Sequence, residues 1–126
     1  MLTNSNSKSQ IMKQSKITVL KNAKFEDLFK DKKDISHCIQ ALRQVVPAVV
    51  NDSDEFLLRS KKGPLVAWKQ VLFDRGYIHA VNVQTATDLL NRKFKNLNIT
   101  ESSFRTNRSK VYAEYKNQFQ YRLSYK

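Results

Sequence analysis

Between residues 34 and 46 the apolar positions Ile35, Cys38, Ile39, Leu42, Val45 and Val46 recur at three- and four-residue spacing, the signature of a helix that buries one face. Asp34 suits its N-cap and Pro47 its end. Upstream, Phe25, Leu28 and Phe29 predict one apolar face of a short helix. Asn51–Asp54 reads as a loop, and Glu55–Ser60 as one or two helical turns. Lys61-Lys62-Gly63-Pro64 is the strongest break in the chain, with Pro64 in place to open a helix. From there Leu65, Trp68, Val71 and Leu72 share a face; Gly76 is the residue expected just past the helix end, and Tyr77 and Ile78 fold back onto the core.

A further helix is predicted to start between Asn82 and Thr85, with Thr85 and Asp88 approximating a capping arrangement and Ala86, Leu89, Leu90 and Phe94 facing inward. Lys95–Asn98 is a short connector flanked by the apolar plugs Leu97 and Ile99. Thr100 is a good N-cap and Glu101 an acid in the first turn, so another helix is expected to start there. The last helical stretch carries Phe104, Val111, Tyr115, Phe119 and Leu123, its continuity across Thr106-Asn107 left open by the pattern. Residues 1–15 are polar and are expected to form a disordered tail, since Leu2, Ile11 and Met12 cannot offset the entropy of ordering it. Lys16–Leu20 is β-branched enough for a strand but has no hairpin partner nearby. The expectation is an all-α, mainly helical fold: one small multihelical domain over residues 16–126, with a helix–turn–helix-like or winged-helix-like element at about 83–108.

Composition narrows this further. In 126 residues, 2 Gly and 2 Pro are too few for a turn-rich β-sandwich, and 1 Cys excludes a disulfide framework or thiolate metal cluster. Cys38 lies in an apolar stripe and reads as an inert buried thiol. No apolar run reaches bilayer-spanning length and no signal peptide is visible, so a cytoplasmic protein without membrane partners is expected. The anomaly is charge: 23 Lys and Arg against 11 Asp and Glu, a formal +12. It concentrates in residues 92–126, where Arg92, Lys93, Lys95, Arg105, Arg108, Lys110, Lys116, Arg122 and Lys126 face only Glu101 and Glu114. Such a surface gains binding free energy from polyanions by counterion release.

Catalytic groups are few. His37 and His79 have no second His or Cys at i+3 or i+4, and there is no Gly-rich phosphate loop or nucleophile elbow. Asp52, Asp54 and Glu55 could hold magnesium, but serve equally as a loop and helix cap. The expectation is a protein that is not an enzyme and needs neither metal nor cofactor.

The order of elements suggests a helix–turn–helix: an apolar helix ending near Phe94, a tight connector, then a polar, basic second helix from Thr100 set into the major groove. The small residue usual inside such a turn is missing from Lys95–Asn98. The predicted DNA-binding set is Arg92, Lys93, Lys95, Ser102, Ser103, Arg105, Thr106, Asn107, Arg108, Lys110 and Lys116, with Lys and Arg anchoring phosphates and the helix from Thr100 to about Arg108 set into the major groove.

Over Leu65–Phe119 the chain resembles the C-terminal region of RteC-type regulators, DNA-binding proteins of conjugative elements in Bacteroides-like bacteria. The similar features are Trp68 leading into Arg75-Gly76-Tyr77-Ile78, the helix ending Arg92-Lys93-Phe94, and Phe104-Arg105-Thr106-Asn107-Arg108-Ser109-Lys110. Residues 1–63 do not match the longer N-terminal domain of that family. The resemblance implies a regulator or accessory factor of a mobile element or phage, with Arg105, Thr106, Asn107 and Arg108 on or just after the recognition helix. The nucleic acid expected is duplex DNA. Alternatives are an RNA-binding or general nucleic-acid accessory protein that stacks bases on exposed Tyr112, Tyr121 or Tyr125, and a basic protein that meets an acidic protein partner. A homodimer is left open, since one recognition helix reads few bases.

Overall fold

The computed structural model describes residues 23–105 and 108–126. The expected tail, the strand-like Lys16–Leu20 run, Thr106 and Asn107 lie outside the described residues. Four α-helices carry the fold: α1 Ile35–Gln44, α2 Gly63–Asp74, α3 Val83–Lys93 and α4 Lys110–Arg122. Shorter 3-10 turns occupy Phe25–Leu28, Lys32–Asp34 and Glu101–Arg105. Among the described residues β-pairing is confined to isolated bridges, Phe29 with Ile78, Val50 with Phe56 and Glu55 with Lys95. The domain is mainly helical, as the periodicity predicts.

Helix α2 is the hub. Pro64, Leu65, Val66, Ala67, Trp68, Val71 and Leu72 are all buried, so this helix is covered on most of its circumference. Trp68 buries its whole indole, donates Nε1–H to the Cys38 carbonyl at 2.8 Å and meets Phe94 edge-on at 5.9 Å. The buried donor is therefore satisfied, which is what lets a tryptophan sit at the centre of a small core. Leu42, Leu72, Ile78, Leu89, Tyr115, Phe119 and Leu123 close around it, while Phe104 is only partly buried against the core.

Helices α2 and α4 run parallel. A Cβ placed on Gly63, at the start of α2, would sit 3.5 Å from Ser109 Oγ at the start of α4. At the other ends the Lys126 N–H donates to the Arg75 carbonyl at 2.9 Å, and Tyr77 Oη donates to the Ser124 carbonyl at 2.8 Å. Gly76, at φ +88°, makes the left-handed exit that brings Tyr77 back under the C-terminal strap. Both helices thus present their amino ends, with their partial positive charge, to the same end of the molecule.

Several local expectations need correction. The Glu55–Ser60 segment is not helical: Asn51 and Glu55 fold the chain into a loop through Asn51 Oδ1, which accepts from Ser53 and Glu55 N–H, and Phe56 pairs with Val50. Asp34 occupies the cap position of α1 but makes no capping bond, because its carboxylate is taken by Lys126; Asp31 instead accepts from Lys33 N–H in the turn before. Asn82, rather than the Thr85–Asp88 pair, caps α3 through the Thr85 N–H at 2.8 Å. The short helix expected at Phe25, Leu28 and Phe29 is a 3-10 turn over Phe25–Leu28.

The largest departure follows Thr100. No α-helix starts there; Glu101–Arg105 is a single 3-10 turn, and the next α-helix opens at Lys110 with Ser109 as its cap. The Thr100 and Ser102 hydroxyls lie 2.9 Å apart, and Ser103 Oγ accepts from Thr100 N–H at 3.3 Å. Short hydroxyl side chains of this kind compete with the helical hydrogen-bond ladder. The tight pair of helices expected at about 83–108 is therefore replaced by α3, an irregular connector and a 3-10 turn. The connector needs no glycine, because Asn96 and Asn98 adopt the left-handed conformation at φ 63° and 50°.

Candidate nucleic-acid interface

At the end where α2 and α4 begin, three segments enclose an open cleft of about 390 Å³. Ser60, Lys61, Lys62 and Gly63 form one wall, Ser102 and Ser103 another, and Ser109 and Val111 the third. Ser109 is there because it caps α4, accepting the Tyr112 N–H at 3.0 Å. The 101–105 turn is held against α2 by Phe104, whose ring lies 5.3 Å from the Lys69 ammonium. It is also held against α3 by Asn91, whose side-chain amide both accepts from and donates to the Ile99 backbone, at 2.8 and 2.9 Å.

The two lysines of the cleft differ. Lys62 is committed to structure: its ammonium donates to the Arg59 and Leu97 carbonyls and lies 4.7 Å above the Phe56 ring. Loss of solvent lowers its pKa below the ordinary value. Lys61 is exposed and also borders an adjoining hollow of about 180 Å³ with Pro47, Leu58, Pro64, Val111, Glu114 and Tyr115. Among the described residues no carboxylate lines the main cleft; Glu101 and Glu114 stand in neighbouring segments.

The predicted residues divide in two. Arg105, Arg108 and Lys110 are exposed, flank the cleft segments in the chain, and have no carboxylate within ion-pairing distance among the described residues. Ser102 and Ser103 lie in the cleft itself. Lys93 is used elsewhere: it pairs with Asp54 at 3.1 Å and sits 5.5 Å from the Phe25 ring. Arg92 donates to the Ala23 carbonyl at 3.2 Å, and exposed Lys95 uses its backbone to bond Asp54 and Phe56. Lys116 is half-buried, 5.8 Å above the Tyr112 ring. Thr106 and Asn107 lie outside the described residues.

Sequence reading missed Ser60, Lys61, Lys62, Gly63 and Ser109. A signal existed in the Lys61-Lys62-Gly63-Pro64 break, which marks a helix start as well as a boundary, and in Ser109-Lys110, a cap-plus-cation pair. It also misplaced Tyr112, which is buried, as a base-stacking residue; Tyr121 and Tyr125 are 90% and 71% exposed, with the Arg75 guanidinium 4.0 Å over the Tyr125 ring.

Asp54, Glu55 and Cys38 are each engaged or buried. Asp54 accepts from Arg43 at 2.9 Å as well as from Lys93, and Glu55 accepts from Asn51 and Asn96. Cys38 is fully buried, with its thiol pushed up to about 12 by burial and the nearby Asp34. Among the described residues no three His, Cys, Asp or Glu side chains cluster closely enough to hold a metal ion. Among the described residues no helix is long and apolar enough to cross a membrane.

No protein-family model matches the chain, and neither a curated protein nor a solved structure is similar to it. The likeness to RteC-type regulators therefore rests on the quoted residues alone.

Proposed function

We propose that this chain is a non-enzymatic nucleic-acid-binding protein, a regulator or accessory factor acting on duplex DNA, which docks the phosphate backbone against the end of the molecule where α2 and α4 begin. The observation that carries the reading is the cluster of unpaired cations at that end. Arg105, Arg108 and Lys110, with Lys61 across the cleft, have no carboxylate partner among the described residues. Their charge is not answered by a carboxylate among the described residues, and a phosphodiester backbone supplies that counter-charge. The parallel helix ends add fixed partial positive charge to the same surface. The reading element is then the Glu101–Arg105 turn together with Arg108 and Lys110 at the start of α4, rather than a recognition helix. Arg105 and Arg108 are the side chains with the reach and planar geometry for guanine edges. The resemblance to mobile-element regulators supports the same class of partner.

Exposed Tyr121 and Tyr125, the latter stacked by Arg75, favour a second reading in which unpaired bases of RNA or single-stranded DNA stack on the molecule. Titration of duplex, single strand and an acidic polypeptide across salt concentrations separates the readings. If Lys61, Arg105, Arg108 and Lys110 each neutralise one phosphate, log K for duplex falls with log salt at a slope of roughly −3.5. Tighter binding to single strand supports the second reading. Binding confined to the polypeptide overturns both and identifies a protein partner.

A further inference from the structure

We propose that the cleft bounded by Ser60–Gly63, Ser102–Ser103 and Ser109–Val111 is a site for one nucleoside 5′-phosphate unit, supplied either by a phosphorylated strand end or by a free nucleotide. This inference rests on the nucleic-acid reading but concerns a different contact: the external cations grip a continuous backbone, whereas the cleft takes a single terminal unit.

Three features of the cleft point to that ligand. Its size comes first. About 390 Å³ lies within the range of roughly 300–1,000 Å³ typical of small-ligand pockets, far more than a lone inorganic phosphate fills. Its lining comes second. Four serines, Ser60, Ser102, Ser103 and Ser109, come from three segments and line a wall that also contains Gly63 and Val111. Hydroxyls serve both phosphate oxygens and sugar hydroxyls, while the apolar wall accepts the face of a sugar or base. Electrostatics comes third. Among the described residues Lys61 is the exposed cation lining the cleft and no carboxylate lines it, and the nearby cations Arg105, Arg108 and Lys110 keep the approach positive. A phosphomonoester carries close to two charges at neutral pH and gains more from such an environment than a backbone diester with one.

Lys62 fastens the walls of the site together. Its ammonium ties the Arg59 and Leu97 carbonyls together, so the wall that carries Ser60 and Lys61 is fastened to the connector after α3. The cleft is thus built by hydrogen bonds that the ligand does not supply, which lowers the ordering cost of binding.

The experiment uses the full chain and a fluorescent 12-nucleotide strand bearing either a 5′-phosphate or a 5′-hydroxyl. Adenosine 5′-monophosphate, adenosine and inorganic phosphate serve as competitors. The 5′-phosphate is expected to tighten binding about tenfold, a difference of about 1.4 kcal/mol. Ser60→Trp fills the cleft from an exposed turn without changing charge, and is expected to erase that difference. Backbone amide shifts of Gly63, Ser103 and Val111 on titration with adenosine 5′-monophosphate give a test that depends on no variant. Displacement by the mononucleotide but not by adenosine identifies free nucleotide as a ligand; a strand-end preference that the mononucleotide does not displace identifies the terminus. Equal affinity for the two strands together with unmoved amides overturns the cleft assignment while leaving backbone binding intact. Absence of all strand binding with mononucleotide still shifting the three amides overturns the nucleic-acid reading and keeps the cleft.

Discussion

Two groups of cations in this molecule have the same residue types and opposite roles. Around Asp54, Arg43 and Lys93 converge from α1 and α3 on one carboxylate, at 2.9 and 3.1 Å, with all three side chains mostly shielded from solvent. At the far end of α4, Lys126 is bound to Asp34 in the same manner. At the amino ends of α2 and α4, by contrast, Arg105, Arg108 and Lys110 stand exposed without such a partner among the described residues. Cations whose charge is answered inside the fold belong to stability, and those left unanswered are the ones a polyanion can use. A count of lysines and arginines along the chain cannot make this distinction, because the pairing is set by which segments fold onto one another.

Removing the unanswered set should give the largest effect. Arg105, Arg108 and Lys110 replaced together by Ala should weaken duplex binding by roughly a hundred- to a thousandfold at low salt and reduce the salt slope by roughly 3 units. The melting temperature should stay near wild type, since none of the three supports the core. Within the set, Arg105→Ala alone should cost roughly 1–3 kcal/mol on a preferred site if it reads a guanine, and relax selectivity there. A triple variant that binds normally, measured by anisotropy at three salt concentrations, would place the interface elsewhere.

The converse variant is Asp54→Asn. Asp54 sits at φ 60°, a conformation that Asn also tolerates, so the change removes charge without adding backbone strain. Arg43 and Lys93 then lose their common partner, and Arg43 Nε is already buried without a hydrogen bond. The cost should be about 2 kcal/mol, allowing for residual solvent at the site, or about 6–10 °C in Tm. Duplex affinity at a temperature where the protein is folded should be unchanged. A stable Asp54→Asn protein with altered binding would erase the contrast between the two regions.

The C-terminal strap gives a smaller, pH-dependent effect. Hydrogen bonding to Asp34 raises the Lys126 pKa above its ordinary 10.5, so the charged form is favoured in the fold. That contribution is complete below 10.5 and is lost as pH rises through the raised value. Burial raises the pKa of Tyr77, Tyr112 and Tyr115 as well, which adds loss of the same sign. Tm should therefore fall on the alkaline side, less steeply in Lys126→Ala. Identical alkaline profiles in the two proteins would show that the strap contact contributes nothing. At the acid end Asp31 behaves oppositely: the Lys33 N–H holds its pKa low, so its contribution is present above the ordinary 3.8 and lost as pH falls through the lowered value.

The fold was legible where periodicity and punctuation coincide. Leu65, Trp68, Val71 and Leu72 between Pro64 and Gly76 mark a buried helix, and the structure places its bounds within two residues of those signals. The Thr100 region was not legible, because one good cap and one acid look the same before an α-helix and before a 3-10 turn. What decides between them is the clamp of Asn91 on Ile99, which comes from α3, together with the local bonds among Thr100, Ser102 and Ser103. The candidate site was half legible for a related reason. Arg105, Arg108 and Lys110 announce themselves by local charge, whereas Ser60 and Lys61 enter only because parallel packing of α2 and α4 brings residues 60–63 beside residues 109–111. Lys93 looked like part of the same basic run until folding set it on Asp54.

Lys69 gives the smallest expected effect and the sharpest check on the comparison. It lies on α2 beside the 101–105 turn, next to the proposed interface, yet its ammonium is largely enclosed and rests 5.3 Å from the Phe104 ring. Burial lowers its pKa below 10.5, opposite to Lys126. The charged form is thus penalised by folding at every pH below the lowered value, and the penalty disappears as pH rises past 10.5. Lys69→Met keeps the unbranched stem that packs on Phe104 and removes the charge. It should raise Tm at pH 7 by a few degrees at most, with the gain shrinking toward the alkaline limit. Duplex affinity and salt slope should match wild type, because a cation enclosed by its own fold is as unavailable to phosphate as one paired with Asp54. A salt slope reduced by about one unit in Lys69→Met would mean that the ammonium reaches phosphate after all, and that enclosure, unlike ion pairing, does not withdraw a cation from the interface.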